Sequence, residues 1–218
     1  MEVENETINS NKIYQQLESN KLIVYPKNTN NTLHTNFELN ETEIECFTII
    51  LNILKKYNLN STICRVAGGW VRDKLLGKES DDIDIALNDM KGSKLASLIN
   101  DELYPGKDKV GIIQQNAKKG KHLETATIKI CKIWIDFVNL RAINDNELGT
   151  PKSDADLRDL SINSLFYNIN EKKVEDCTNK GIKDLENGVI ETPIEPEITF
   201  KFDTNKLMFF DNETGKRI

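Results

Sequence analysis

Apolar positions in this chain switch between helical and strand spacing, and the switches mark its elements. Ile44, Phe47, Ile50, Leu51 and Leu54 recur at helical spacing to about Tyr57. Asn40, with Glu43 three residues on, is the capping-box pair that starts such a helix. Thr62 to Ala67 reads as a short buried strand stopped by Gly68-Gly69, and Trp70 to Leu76 as a short helix closed by Gly77. Asp81 to Leu87 alternates acid and aliphatic, the period of a strand. A helix is predicted from about Ser93 to Leu103, then strands over Val110–Gln114, Leu123–Cys131 and Ile133–Leu140, with Gly120 at a turn. Asp154 to Phe166 reads as helix and Val174 to Cys177 as a short strand before Gly181. This order predicts an α+β fold with one mixed sheet flanked by helices. Residues 1–39 lack sustained periodicity and are expected to form a flexible acidic leader, with a short helix around Tyr14 to Leu17. The domain is expected over residues 40–200, followed by a divergent tail over 201–218.

Composition narrows the class. With 218 residues, 38% apolar and 29% charged, the chain can bury one core and is not globally disordered. Its longest apolar stretch, Cys46 to Leu54 (CFTIILNIL), is interrupted by Thr48 and Asn52 and falls far short of the roughly 20 residues of a membrane span. No membrane partner is expected. The leader lacks both the pattern of a secretion signal and the arginines of a mitochondrial presequence. An intracellular, cytoplasmic chain is therefore expected, with nucleus or mitochondrion left open. Cys46, Cys64, Cys131 and Cys177 are widely spaced and the only histidines are His34 and His122, so neither a disulfide scaffold nor a zinc site is supported. Of the net charge of −6, residues 1–45 carry −5 and the remainder −1. Such a body has no basic footprint of the kind that nucleic-acid binding usually leaves.

The candidate chemistry begins at Asp82-Ile83-Asp84. Side chains two apart on a strand share a face, and two adjacent carboxylates repel unless a cation lies between them. Divalent metal would relieve that repulsion and serve phosphoryl or nucleotidyl transfer. Read alone, the pair also fits the solvated edge of a strand. Ten to fifteen residues earlier, Gly68-Gly69 lets backbone amides approach a phosphate, Arg72 can pair with phosphate oxygens, and Asp73 can hold that arginine. Asp136 is a lone acid in the apolar run Ile133 to Val138, which suits a third metal carboxylate. An ion pair with Arg141 or Arg158 is the alternative.

Together these residues carry a family resemblance. Arg65 to Gly77 (RVAGGWVRDKLLG), followed by Asp81 to Ala86 (DDIDIA), resembles the head domain of class II CCA-adding tRNA nucleotidyltransferases, shared with bacterial poly(A) polymerases within the DNA polymerase beta-like superfamily. The match continues through His122–Thr127, Val138–Arg141, Gly149–Pro151, Arg158–Asn168, Val174–Asp176 and Gly181–Gly188. It covers roughly residues 40–200, and the wording is closest to fungal-type members. The resemblance implies a polymerase beta-like head that adds CMP and AMP from CTP and ATP to the tRNA 3′ end with Mg²⁺. It implies that Asp82, Asp84 and Asp136 hold two metals and that Gly68, Gly69 and Arg72 cradle the triphosphate. Arg158, Asp159 and Asn163 match an Arg-Arg-Asp-x-x-x-Asn element that contacts ribose and phosphates.

Two departures are visible. Leu157 stands where that element has its first arginine, which implies weaker nucleotide binding. After Phe200 the family continues into a neck whose Glu-Asp-x-x-Arg set reads the base, followed by body and tail domains that grip tRNA. Here residues 201–210 read KFDTNKLMFF, and the only Glu-Asp, Glu175-Asp176, lies in the head without an arginine three residues on. The expectation is a head that is incomplete or inactive alone, with a separate neck and body subunit as a further partner. Two alternatives stay open: a poly(A)-type RNA nucleotidyltransferase, and a non-catalytic remnant that binds nucleotide or a partner.

Overall fold

A computed structural model describes residues 32–35, 37–113, 124–143 and 149–194. The expectations for the helix near Tyr14, for Gly120, His122 and Leu123, and for the tail from 201 lie outside these residues.

The elements in chain order are α1 (Glu41–Lys56), β1 (Cys64–Ala67), α2 (Gly69–Leu75), β2 (Ile83–Leu87), α3 (Gly92–Leu103) and β3 (Gly111–Ile113). They continue with β4 (Thr125–Ile130), β5 (Ile133–Asn139), α4 (Pro151–Asp156), a 3-10 turn (Ser161–Asn163), β6 (Leu165–Asn168), β7 (Lys173–Asp176) and α5 (Gly181–Asn187). The strands form one sheet in the order β3-β4-β5-β2-β1-β6-β7. Only β2 and β5 pair in parallel, so the expected mixed sheet is present.

The first helix starts as expected. Asn40 accepts from the Glu43 amide at 2.9 Å, and the Glu43 carboxylate accepts from the Asn40 amide at 2.8 Å. Such a cap contributes about 1 kcal/mol. The buried stripe is rotated from the expected one, however. Cys46, Phe47, Ile50, Ile53 and Leu54 face the core, while Ile44 is exposed and Leu51 only half-buried. Glu43 joins this buried stripe because it has partners: Trp70 Nε1 donates to it and Lys74 pairs with it at 3.0 Å. Ahead of the cap, Leu33, Phe37 and Leu39 already pack on the core, and the Phe37 ring meets Trp70 and Tyr167.

The sheet has two unlike faces. Val66, Ile83, Ile85, Leu87, Ile128, Ile135 and Phe137 form the main core with α1, α2 and α3. On the other face Ala67, Ala86, Leu140, Ala155 and Phe166 make a smaller cluster. That second face is only partly covered, and it carries the acids.

Asp154 to Phe166 is not one helix. Thr150 caps α4, whose last residue is Asp156, and the chain turns at Ser161–Asn163 before entering β6. Leu165–Asn168 is buried along its whole length between β1 and β7. An apolar run shielded on both faces has no period, so the spacing that reads as helix here is a strand. The helix α5 was not expected from the sequence.

Candidate active site

Two acids face each other at the centre of the open face, with a third, Asp82, close enough for its charge to act on one of them. In the parallel pairing of β2 with β5, Asp84 lies directly opposite Asp136, with Ala86 opposite Val138 on the same face. Asp82 is exposed and stands one residue ahead of β2, not within it, because its charge stays hydrated beyond the ladder. Burial, followed by the charges of Asp82 and Asp136, pushes the Asp84 carboxyl up to about 6, with Arg158 opposing. The like charges are thus close enough to penalise one another.

Asp136 does not take the alternative partners. Thr127, opposite it on β4, donates its hydroxyl to Asp136 at 2.5 Å, whereas Arg141 and Arg158 both pair with Asp154. Among the described residues no three His, Cys, Asp or Glu side chains close into a metal-ligand sphere. The donor set still suits a hard divalent ion: all-oxygen ligands on adjacent strands, with repulsion at Asp84 that a cation would cancel.

Beside the acids, β1 runs into the Gly68-Gly69 turn. Gly68 has φ +75°, and a Cβ there would lie 2.8 Å from Arg158 Nη1. Glycine therefore serves twice, allowing the backbone conformation and letting a guanidinium lie against the turn. Arg158 donates through Nη1 to the Asn163 carbonyl at 3.2 Å and packs over the Phe166 ring at 5.3 Å. Arg72 donates through Nε to Asp73 at 2.9 Å, as the sequence suggested, and through Nη1 to the Asn163 side chain at 2.7 Å. Asn163 in turn donates to Asp159 at 3.3 Å. The fold therefore brings Gly68, Gly69, Arg72, Asp73, Arg158, Asp159 and Asn163 together from positions 95 residues apart. Their guanidiniums and backbone amides can bind a polyanion next to the carboxylates. Leu157, at the departed arginine position, is exposed.

Two residues of this region were missed from the sequence. Asp154 is almost fully buried. Its Oδ1 accepts from the Arg141 amide and Nε, and its Oδ2 from Arg158 Nε and Nη2 at 3.1 and 2.9 Å. The signal was present, since Asp154 stands four residues before Arg158 in the first turn of a capped helix. Thr127 falls in the matched stretch His122–Thr127, but its contact with Asp136 could not be read, because it depends on the β4–β5 register. Glu175, half of the lone Glu-Asp, is on β7 and pairs at 2.6 Å with Arg65 of β1, reaching across the intervening strand β6; this explains its place in the head structurally.

Residues 64–191 match the model of the poly(A) polymerase head domain. The chain is 41% identical over 201 residues to a mitochondrial CCA tRNA nucleotidyltransferase of Candida glabrata, covering 81% of this chain and 37% of that protein. It is 47% identical over 178 residues to a tRNA nucleotidyltransferase of Schizosaccharomyces pombe, covering 75% of this chain and 36% of that protein. Among solved structures it resembles the Thermotoga maritima CCA-adding enzyme complexed with tRNA, with a TM-score of 0.54 and 26% identity over 72% of this chain and 34% of that one. The chain thus spans little more than a third of the length of these relatives.

Proposed function

The chain belongs to the poly(A) polymerase head-domain family, and from that premise we propose that it is the catalytic head of a tRNA nucleotidyltransferase, adding CMP and AMP from CTP and ATP to the tRNA 3′ end. The observation that carries this reading is the Asp84–Asp136 register pair lying beside a cradle of Gly68, Arg72, Arg158 and Asn163. The relatives named as CCA enzymes supply the substrate class.

Asp82, Asp84 and Asp136 would hold Mg²⁺. Bound there, it would activate the 3′-hydroxyl and offset charge on the leaving pyrophosphate. The protein's own part is positioning. Arg72 and Arg158 offer the triphosphate the N–H groups that Asp73, Asp154 and Asn163 leave over, and the Gly68-Gly69 backbone lets it approach. Asp73 and Asp154 fix the two guanidiniums before substrate arrives, so less order has to be created on binding. Asn163 and Asp159, already joined, face the ribose.

We place base choice and the grip on tRNA outside the matched head, in sequence that the relatives possess beyond the stretch shared here or in a separate neck and body subunit. No helix among the described residues is long and apolar enough to cross a membrane. We place the protein inside the cell, where its substrates are; the name of the Candida glabrata relative makes the mitochondrion one candidate compartment.

The test is incorporation of labelled CMP and AMP into tRNA lacking its 3′ end, with Mg²⁺, beside a D82A/D84A variant. Any addition, by the chain alone or supplied with a neck and body, is expected to be abolished in the variant. Addition of AMP alone to any RNA would favour the poly(A) reading, and addition that survives in the variant would refute this assignment of the carboxylates.

A further inference from the structure

Among the described residues, the open face of the sheet carries one large aromatic side chain that is left mostly exposed. Trp134, on β5, is 58% exposed. It lies two residues before Asp136 and so shares its face, about 7 Å along the strand. Lys129 is its direct partner on β4, as Thr127 is of Asp136, and the Lys129 ammonium sits 5.6 Å from the Trp134 ring centroid. The ammonium therefore lies over one face of the ring, and the exposure of Trp134 leaves the rest of the ring open to a ligand next to the carboxylates.

Their side of the sheet matters. In the order β3-β4-β5-β2-β1-β6-β7, the carboxylates lie on β2 and β5, and the triphosphate cradle lies towards β1 and β6. Lys129 lies on the opposite side, on β4, and Trp134 lies on β5 ahead of Asp136, directly beside it. Phosphoryl-group displacement requires the attacking and leaving oxygens to be roughly in line across the phosphorus. If pyrophosphate leaves towards β1, the attacking 3′-hydroxyl enters from β5 and β4. Trp134 and Lys129 stand on that route of approach.

We propose that Trp134 and Lys129 form a stacking platform for the single-stranded 3′ end of the acceptor RNA. The Trp134 ring takes a base and the Lys129 ammonium takes the adjoining phosphate. Aromatic stacking accepts any base, which suits an acceptor whose terminal base changes with each addition. The cation also counters the repulsion that the carboxylate cluster exerts on an approaching phosphate. The platform rests on the nucleotidyl-transfer reading for its role, but its binding can be tested apart from turnover.

The chain itself supplies the probe, because its only other tryptophan, Trp70, is buried. A short single-stranded RNA is titrated into the full chain while tryptophan emission is followed, and affinities are measured by anisotropy of a labelled RNA for the wild type, W134A, W134F and K129A. The platform predicts quenching of the Trp134 emission. It also predicts about ten-fold or greater weakening in W134A, recovery to within about three-fold in W134F, and a shallower salt dependence in K129A. CTP affinity is expected to stay the same in all of them. RNA binding by W134A equal to the wild type, or no RNA binding by the wild type, overturns the platform. Incorporation that survives in D82A/D84A would instead overturn the underlying reaction and leave the binding result intact.

Discussion

Asp84 is the residue at which stability and function conflict. Folding lifts its carboxyl to about 6, through burial and then the charges of Asp82 and Asp136. The folded state therefore holds this proton more tightly than the unfolded chain, where an aspartate titrates near about 3.9. The group's contribution to stability is present below that value and is lost as pH rises through about 6. Without divalent cation, the melting temperature is expected to fall as pH is raised across this window. D84N should flatten that fall, and Mg²⁺ should restore stability at neutral pH in the wild type but not in D84N. A melting temperature indifferent to both changes would remove the repulsion from the account. The three acids were legible in the sequence, two by strand period and Asp136 as a lone charge in an apolar run. Their grouping was expected as one metal set, but spacing alone could not show the register that brings them together. Only the parallel register of β2 with β5 sets Asp84 against Asp136, and that contact spans 52 residues.

At the scale of elements, turns place the chemistry. The Gly68 turn ends β1, and the loop after α4 returns Arg158 against it. G68A would meet Arg158 Nη1 and force a side chain into a φ that glycine favours. It should cost about 1–3 kcal/mol in stability. It should also raise the KM for CTP more than the KM for tRNA, and steady-state kinetics on both substrates would show whether the effect is confined to the nucleotide. The sequence located α1, β1, α2, β2, α3 and the β4–β5 pair closely, because capping residues, glycines and clear periods mark them. It failed where β6 hides in an apolar run, and it turned the buried stripe of α1. There, Glu43 counts as polar in a pattern but is buried against Trp70 and Lys74.

Across the whole molecule, one sheet separates stability from reaction. Its closed face holds the larger core with three helices, and its open face holds acids at the centre, arginines on one side, and Trp134 with Lys129 on the other. The chain's net charge of −6 carries no sign of the RNA partner proposed above. In that proposal the cations that matter are a few placed side chains, not a basic surface. The central claim is that the acids and the cradle form one site for a metal-bound nucleoside triphosphate. Its most direct test is calorimetric titration of CTP into the chain with and without Mg²⁺, for the wild type and D82A/D84A. Binding is expected to strengthen with Mg²⁺ in the wild type and to lose that dependence in the variant. Equal Mg²⁺ dependence in both proteins would contradict it.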